Sequence, residues 1–296
     1  MKLDDYRMSD NVRDQRGQSF GGGGGGGGMF GLLLGLVASR FGIGGVIVLG
    51  ILFMVFGGGL PLGVSGDGGG TVAPHQKGAG RSAEQACTTD AESRFTCQVL
   101  ASTEDTWARI FSERGETYRP AQFTFYGGTG RSGCGVAQAA MGPFYCPSDN
   151  SIYLDTQFFS ELSNRLGAAG DFAQAYVIAH EVGHHIQALT GVLDEARRQQ
   201  RRLSSAQGNA VQVRVELQAD CYAGVWAGRN RDRLEPGDIQ EGLTAASAIG
   251  DDTLQRNAQG RVSPETFTHG TSAQRMQWLR RGIETGDPAA CDTFAA

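Results

Sequence analysis

Apolar positions in this chain follow two patterns. The first is a continuous run, Phe41–Leu62 (FGIGGVIVLGILFMVFGGGLPL), inside an uncharged window from Phe41 to Gly66. As a helix it would reach roughly 33 Å at about 1.5 Å per residue, enough to cross a hydrocarbon core of about 30 Å. A neighbouring run, Met29–Ala38, is cut off by Arg40 and is too short for a second crossing. Further along the chain the pattern becomes periodic. Trp107, Ile110 and Phe111 mark one face of a helix within Glu104–Arg114, and Gln122–Tyr126 and Ser151–Asp155 are aromatic and β-branched runs that predict strands. From Thr156 the spacing is helical, in segments near 156–166, 172–189, 192–206, 210–229, 237–249 and 272–284, broken by Gly, Asn or Pro. Strands first and helices afterwards predict an α+β domain with a small antiparallel sheet and a helical half.

The apolar run reads as one uncleaved transmembrane helix. A cleaved signal peptide would put its charged region near residue 1 directly before the apolar run, whereas this run starts 40 residues in, with no A-x-A-like cleavage site after it. Arg40, with Arg16, Arg13 and Arg7 behind it, outweighs Lys77 and Arg81 on the far side. The positive-inside rule then predicts a cytoplasmic N-terminus and an exported C-terminal domain. The expected organisation is a glycine-rich N-terminal segment over 1–40, the span over 41–62, a Gly/Pro/Ser-rich linker over 63–81 and a globular domain over 82–296.

Composition supports that division. Of 46 glycines, 25 lie in the first 80 residues. The eight from Gly21 to Gly28 have no following GK[ST] and read as a spacer, not a phosphate loop. Net charge is −5 overall and −6 from Arg81 onward (20 Lys+Arg against 26 Asp+Glu), so no nucleic-acid partner is expected. All six cysteines follow the apolar run, and none are spaced C-x-x-C. That points to disulfides in an oxidising compartment. Six cysteines allow about 15 pairings; pairing near neighbours would join Cys87 to Cys97 and Cys134 to Cys146, leaving Cys221 with Cys291.

Two glycine and histidine motifs differ sharply in what they specify. Gly128-Thr-Gly130-Arg-Ser-Gly133 matches G-x-G-x-x-G, but Gly142-Pro143 leaves no room for the helix a dinucleotide site needs, and it reads as a loop. His180-Glu181-Val-Gly-His184 lies in a helix-period segment where Asp171 with Gln174 predicts a capping box and Gly191 a stop. Residues i and i+4 share a helix face, so His180 and His184 can hold one metal ion. Glu181, about 100° around the helix, is placed to act as a general base. A catalytic zinc site takes a third protein ligand, and no third histidine follows at metzincin spacing, where Gln187 and Thr190 stand. Glu216-Leu-Gln-Ala-Asp220 supplies a carboxylate pair on one helix face instead, Glu216 as ligand and Asp220 as partner to a ligand imidazole. Alone, that pair would read as two solvated carboxylates. His185 points off the metal stripe and His75 lies in the linker, while Tyr222 and Trp226 read as core.

In these residues the sequence resembles the zincins with an E-x-x-x-D motif and, more closely, the bacterial neutral zinc metallopeptidase family. The resemblance extends over Ser9–Gly17, the glycine run and apolar span, Phe144–Pro147, Ile152–Asp155, HEVGHHIQ and ELQADCYAGVW. It implies a membrane-anchored zinc endopeptidase acting on peptide or protein substrates at the bacterial cell membrane. It also implies one catalytic Zn²⁺ on His180, His184 and Glu216, with Glu181 as base. Related proteins carry H-P-x-x-x-x-R downstream; here His269 and Arg275 keep the spacing, with Gly270 in place of proline. His269 is the candidate oxyanion donor and Arg275 its neighbour, orienting substrate or Glu216. Ser151–Asp155 is the candidate edge strand for an extended peptide. The competing reading is a catalytically silent envelope-binding module.

Overall fold

A computed structural model describes residues 1–18 and 81–295. Its elements in chain order are β1 (Val12–Asp14), α1 (Ala83–Cys87), α2 (Ala91–Glu113), β2 (Gln122–Tyr126), β3 (Thr129–Ser132), β4 (Gly135–Gln138), β5 (Phe144–Cys146) and β6 (Ser151–Asp155). Helices α3 (Phe158–Asn164), α4 (Asp171–Leu189), α5 (Val192–Gln200), α6 (Ser205–Arg229), α7 (Asp238–Ala248), α8 (Asp251–Gln259) and α9 (Ser272–Thr285) follow.

The domain is α+β, as the pattern predicts, but its sheet is not antiparallel. The order is β1-β2-β6-β5, with β1, β2 and β6 parallel and only β5 antiparallel to β6. The physical reason is connectivity: β1 comes from the extreme N-terminus, and the chain crosses over between β2 and β6 through the β3–β4 hairpin and β5. All five residues of β6 and four of five in β2 are buried, the mark of a strand covered on both faces. Ser151–Asp155 is therefore interior, and the edge strands are β1 and β5.

The expected membrane topology is also corrected. Among the described residues no helix is long and apolar enough to cross a membrane. The expected span, Phe41–Leu62, lies outside the described residues. The N-terminal segment, moreover, is not separated from the domain. Val12, Arg13 and Asp14 pair with Phe123, Thr124 and Phe125, and Leu3 and Val12 are buried in the main core. Arg81 meets Asp14 at 3.1 Å, and Arg16 bonds the Ala86 carbonyl at 2.8 Å. Residues 1–18 and the domain thus lie together, which overturns a single-span arrangement with the N-terminus on one side and the domain on the other.

The helical half is built around α4 and α6. Trp226 and Phe172 stack within the core at 6.2 Å between ring centroids, and Tyr222 meets Trp107 edge-on. Helices α6 and α9 touch along their backbones. A Cβ on Gly282 would lie 2.0 Å from the Cys221 carbonyl oxygen, so only glycine permits this approach. Disulfides join Cys87 to Cys97, Cys134 to Cys146 and Cys221 to Cys291.

Candidate metal centre and cleft

Helix α4 starts at Asp171 without the expected capping box. Gly170 is the N-cap, and the Asp171 carboxylate is taken by the Met1 amino group at 2.8 Å. The helix ends where expected, with Gly191 left-handed. On it, His180 and His184 share the face turned to α6, where Glu216 and Asp220 stand one turn apart. Oε2 of Glu216 lies 3.2 Å from His180 Nε2 and 3.5 Å from His184 Nε2. One donor atom from each residue falls within 4.8 Å of the other two.

The remaining ring nitrogens are occupied. His180 Nδ1 lies 2.8 Å from Asp220 Oδ1, and His184 Nδ1 lies 2.9 Å from Gln187 Oε1. Both rings accordingly turn Nε2 to a common point, beside a carboxylate. Two imidazoles and one carboxylate with the outer nitrogens satisfied is a donor set that fits Zn²⁺ with one position left open. Asp171, Asp238 and Glu241 form a second group of close carboxylates, but the Met1 ammonium already bonds Asp171 and Asp238 there, so the group has its cation.

Electrostatics separate the roles. Burial opposes the charge on Glu216, but His184 and His180 overcome it and hold the carboxyl well below its usual range. Burial raises Glu181, against the lowering effect of His184 and His180. Burial also works against the Asp220 carboxylate, yet Arg275 and His180 hold it at about 2.

Arg275 bonds Asp220, with no hydrogen bond to Glu216 among the described residues. Its Nε and Nη2 grip both oxygens of Asp220 at 2.8 and 2.9 Å, and Nη2 also reaches the Tyr176 hydroxyl. His269 lines the same cleft as His180, Glu181, His184 and Glu216. Its Nδ1 lies 3.1 Å from Asp251 Oδ1, while Asp251 Oδ2 accepts the N–H groups of Thr268, His269 and Gly270. Burial works against protonation of His269, and Asp251 raises it. Gly270 has φ of +88°, which proline, fixed near −65°, cannot adopt; the departure from H-P-x-x-x-x-R has a backbone cause. His185 bonds Tyr145 and the Arg119 carbonyl, away from the other two histidines.

The cleft measures about 650 Å³. Phe144, Phe158, Leu166 and Val177 give it apolar walls, and His180, His184 and Glu216 with Arg197 and Gln212 supply polar groups. Sequence reasoning missed Tyr176, Gln187, Gln212 and Asp251. Tyr176 and Gln187 stand four residues before His180 and three after His184, so helical spacing could have found them. Gln212, one turn before Glu216, bonds its Oε1 at 2.9 Å. Asp251 had no such signal.

Two crossing helices present two imidazoles and a carboxylate to one point beside a wide cleft, a His₂Glu group that could hold a metal ion. The chain belongs to the family described as "Putative neutral zinc metallopeptidase", which it matches over residues 1–294. It is similar to "Uncharacterized protein YpfJ" of Escherichia coli (strain K12), 44% identical over 302 residues and 99% of each chain. It is also similar to "Uncharacterized protein Rv2575" of Mycobacterium tuberculosis, 46% identical over 229 residues, covering 71% of this chain and 75% of that one. No solved structure matches.

Proposed function

We propose that the protein is a zinc-dependent endopeptidase, with Zn²⁺ held by His180, His184 and Glu216. The observation that carries this reading is the convergence of those three donors next to the buried Glu181 inside a cleft large enough for several side chains. When bound, the ion would supply Lewis acidity toward a water molecule and the scissile carbonyl. Glu181 takes the proton of the attacking water and passes it to the leaving amine, a task suited to a carboxylate whose proton affinity burial has raised. His269, in the protonated form that its contact with Asp251 favours, donates a hydrogen bond to the carbonyl oxygen as charge develops on it. Asp220 fixes the His180 ring and Arg275 fixes Asp220.

Substrate geometry follows from β5. Phe144 and Tyr145 line the cleft, and among the described residues no main-chain hydrogen bond uses the strand edge facing away from β6. An extended peptide can add there as a further strand.

The test is Glu181→Gln assayed on a quenched-fluorescent peptide library, with zinc content measured on the same sample. The expected outcome is full zinc content and hydrolysis reduced about 10²- to 10⁴-fold, the usual contribution of a general base. Zinc-loaded wild-type protein that cleaves nothing would instead support a silent binding module, and unchanged turnover in Glu181→Gln would remove the role of that carboxylate.

A further inference from the structure

Gln187 is wholly buried one turn beyond His184. Its amide makes three bonds. Oε1 faces His184 Nδ1 at 2.9 Å, and Nε2 donates to the Val215 carbonyl at 2.7 Å and to Gln218 Oε1 at 3.0 Å. Gln218 in turn donates from Nε2 to the Cys291 carbonyl at 3.1 Å.

The direction of this relay is not free. Main-chain carbonyls close it at both ends, and a carbonyl can only accept. Cys291 requires the NH₂ of Gln218, which turns Gln218 Oε1 to Gln187. Val215 and that oxygen both require the NH₂ of Gln187, which turns its Oε1 to His184. An acceptor at 2.9 Å from Nδ1 demands an N–H there. The proton of the neutral ring is thereby assigned to Nδ1, and the Nε2 lone pair is left facing Glu216 and His180. Inverting either amide would set two oxygens against each other in a buried site and leave both without a donor.

We propose that Gln187 is a positioning residue for the metal centre, locking His184 in its Nδ1–H form through a relay anchored at the Cys291 carbonyl. The inference rests on His184 being a zinc ligand, as argued above. A free neutral imidazole has no such lock, and part of its population would carry the proton on the ligating nitrogen. The anchor is itself fixed, because Cys291 is tied by its disulfide to Cys221 on α6, the helix that also carries Glu216 and Gln218. The two histidines are thus supported differently: His180 by a carboxylate that carries charge, His184 by a neutral amide that carries only direction.

Zinc affinity by chelator competition tests this in Gln187→Leu, Gln187→Glu and Cys221→Ser/Cys291→Ser. Folding of each zinc-free variant is checked by circular dichroism. Gln187→Leu should lose about 10- to 100-fold in affinity. Gln187→Glu keeps an oxygen toward Nδ1, and as a neutral acid it can still donate to Val215, so it should stay within several-fold of wild type. The double serine variant should show a smaller loss in the same direction as leucine. Gln187→Met, which keeps the length but not the acceptor, replaces leucine if that variant does not fold. Nitrogen-15 spectra of the zinc-free protein at alkaline pH should show His184 protonated at Nδ1 in wild type and as a mixture in the leucine or methionine variant. Equal losses in the glutamate and apolar variants would reduce Gln187 to a packing role and overturn the proposal, as would wild-type affinity in Gln187→Leu. Wild-type protein that binds no zinc at His184, checked with His184→Ala, would instead break the underlying functional reading.

Discussion

Four groups converge on the Asp220 carboxylate: His180 Nδ1, the Tyr176 hydroxyl, and two nitrogens of Arg275. Asp220 is fully buried and Arg275 is 2% exposed, so neither charge has water to replace its partner. That distinguishes the two carboxylates of α6 by experiment. Glu216→Ala removes a ligand, and zinc should be lost with activity. Asp220→Ala should still bind zinc, about 10- to 100-fold more weakly. It should also unfold more easily, by about 3–5 kcal/mol, because it strands the Arg275 charge. Chelator competition and urea denaturation on the two variants check both statements; an empty site in Asp220→Ala beside near-normal affinity in Glu216→Ala would reverse the assignment. The proximity of His180 to His184 and of Glu216 to Asp220 was legible because helical geometry makes i and i+4 neighbours whatever the tertiary fold. Arg275 was legible only as a spacing from His269, and its actual partner depends on how α9 lies across α6. Asp251 was not legible at all, since its task is to gather three N–H groups from the turn at 268–270.

Helix α4 lies tight against the α6 backbone at Gly183, which stands between His180 and His184. A Cβ there would lie 3.0 Å from both Cα and the carbonyl oxygen of Ala219, which are backbone atoms that cannot swing aside. Gly183→Ala should therefore force α4 and α6 apart, costing about 1–3 kcal/mol of stability and weakening zinc binding with it. Denaturation midpoints and chelator competition measure the two together; a variant as stable and as tight as wild type would show that the crossing has slack. At this scale the sequence was read well where helices are amphipathic and poorly where polar residues are buried. The first half of α2 carries Ser93, Thr96, Gln98, Ser102 and Thr103 inside the protein. Its pattern lacks an apolar stripe because part of what it packs against is the N-terminal segment. Gln98 donates to the Asp4 and Tyr6 carbonyls, and Glu104 takes Ser9 and Asn11. For the same reason β1 was missed: three residues from a polar stretch become a strand only when β2 is beside them.

At the largest scale, residues 1–18 pack onto the domain. The Met1 amino group lies 2.8 Å from Asp171 at the head of α4, 3.1 Å from Glu235 and 3.3 Å from Asp238. Burial works against its charge, but hydrogen bonds to Asp171 and Glu235 prevail and raise it from 8.0 to about 10. A group whose folded value is raised stabilises the fold fully below its unfolded value and loses that contribution as pH climbs through the folded one. Stability should therefore decline between pH 8 and about 10, and Asp171→Asn should flatten that decline in thermal unfolding scans across the range. A wild-type profile that stays level there would show that the pairing does not contribute. The central claim, that α4 and α6 together form a single zinc site, is tested most directly by anomalous diffraction at the zinc edge on zinc-loaded crystals. The account predicts one strong peak within bonding distance of His180 Nε2, His184 Nε2 and a Glu216 carboxylate oxygen, facing the cleft beside Glu181. A peak among Asp171, Asp238 and Glu241 with none at the histidines, or no peak at all, would contradict it.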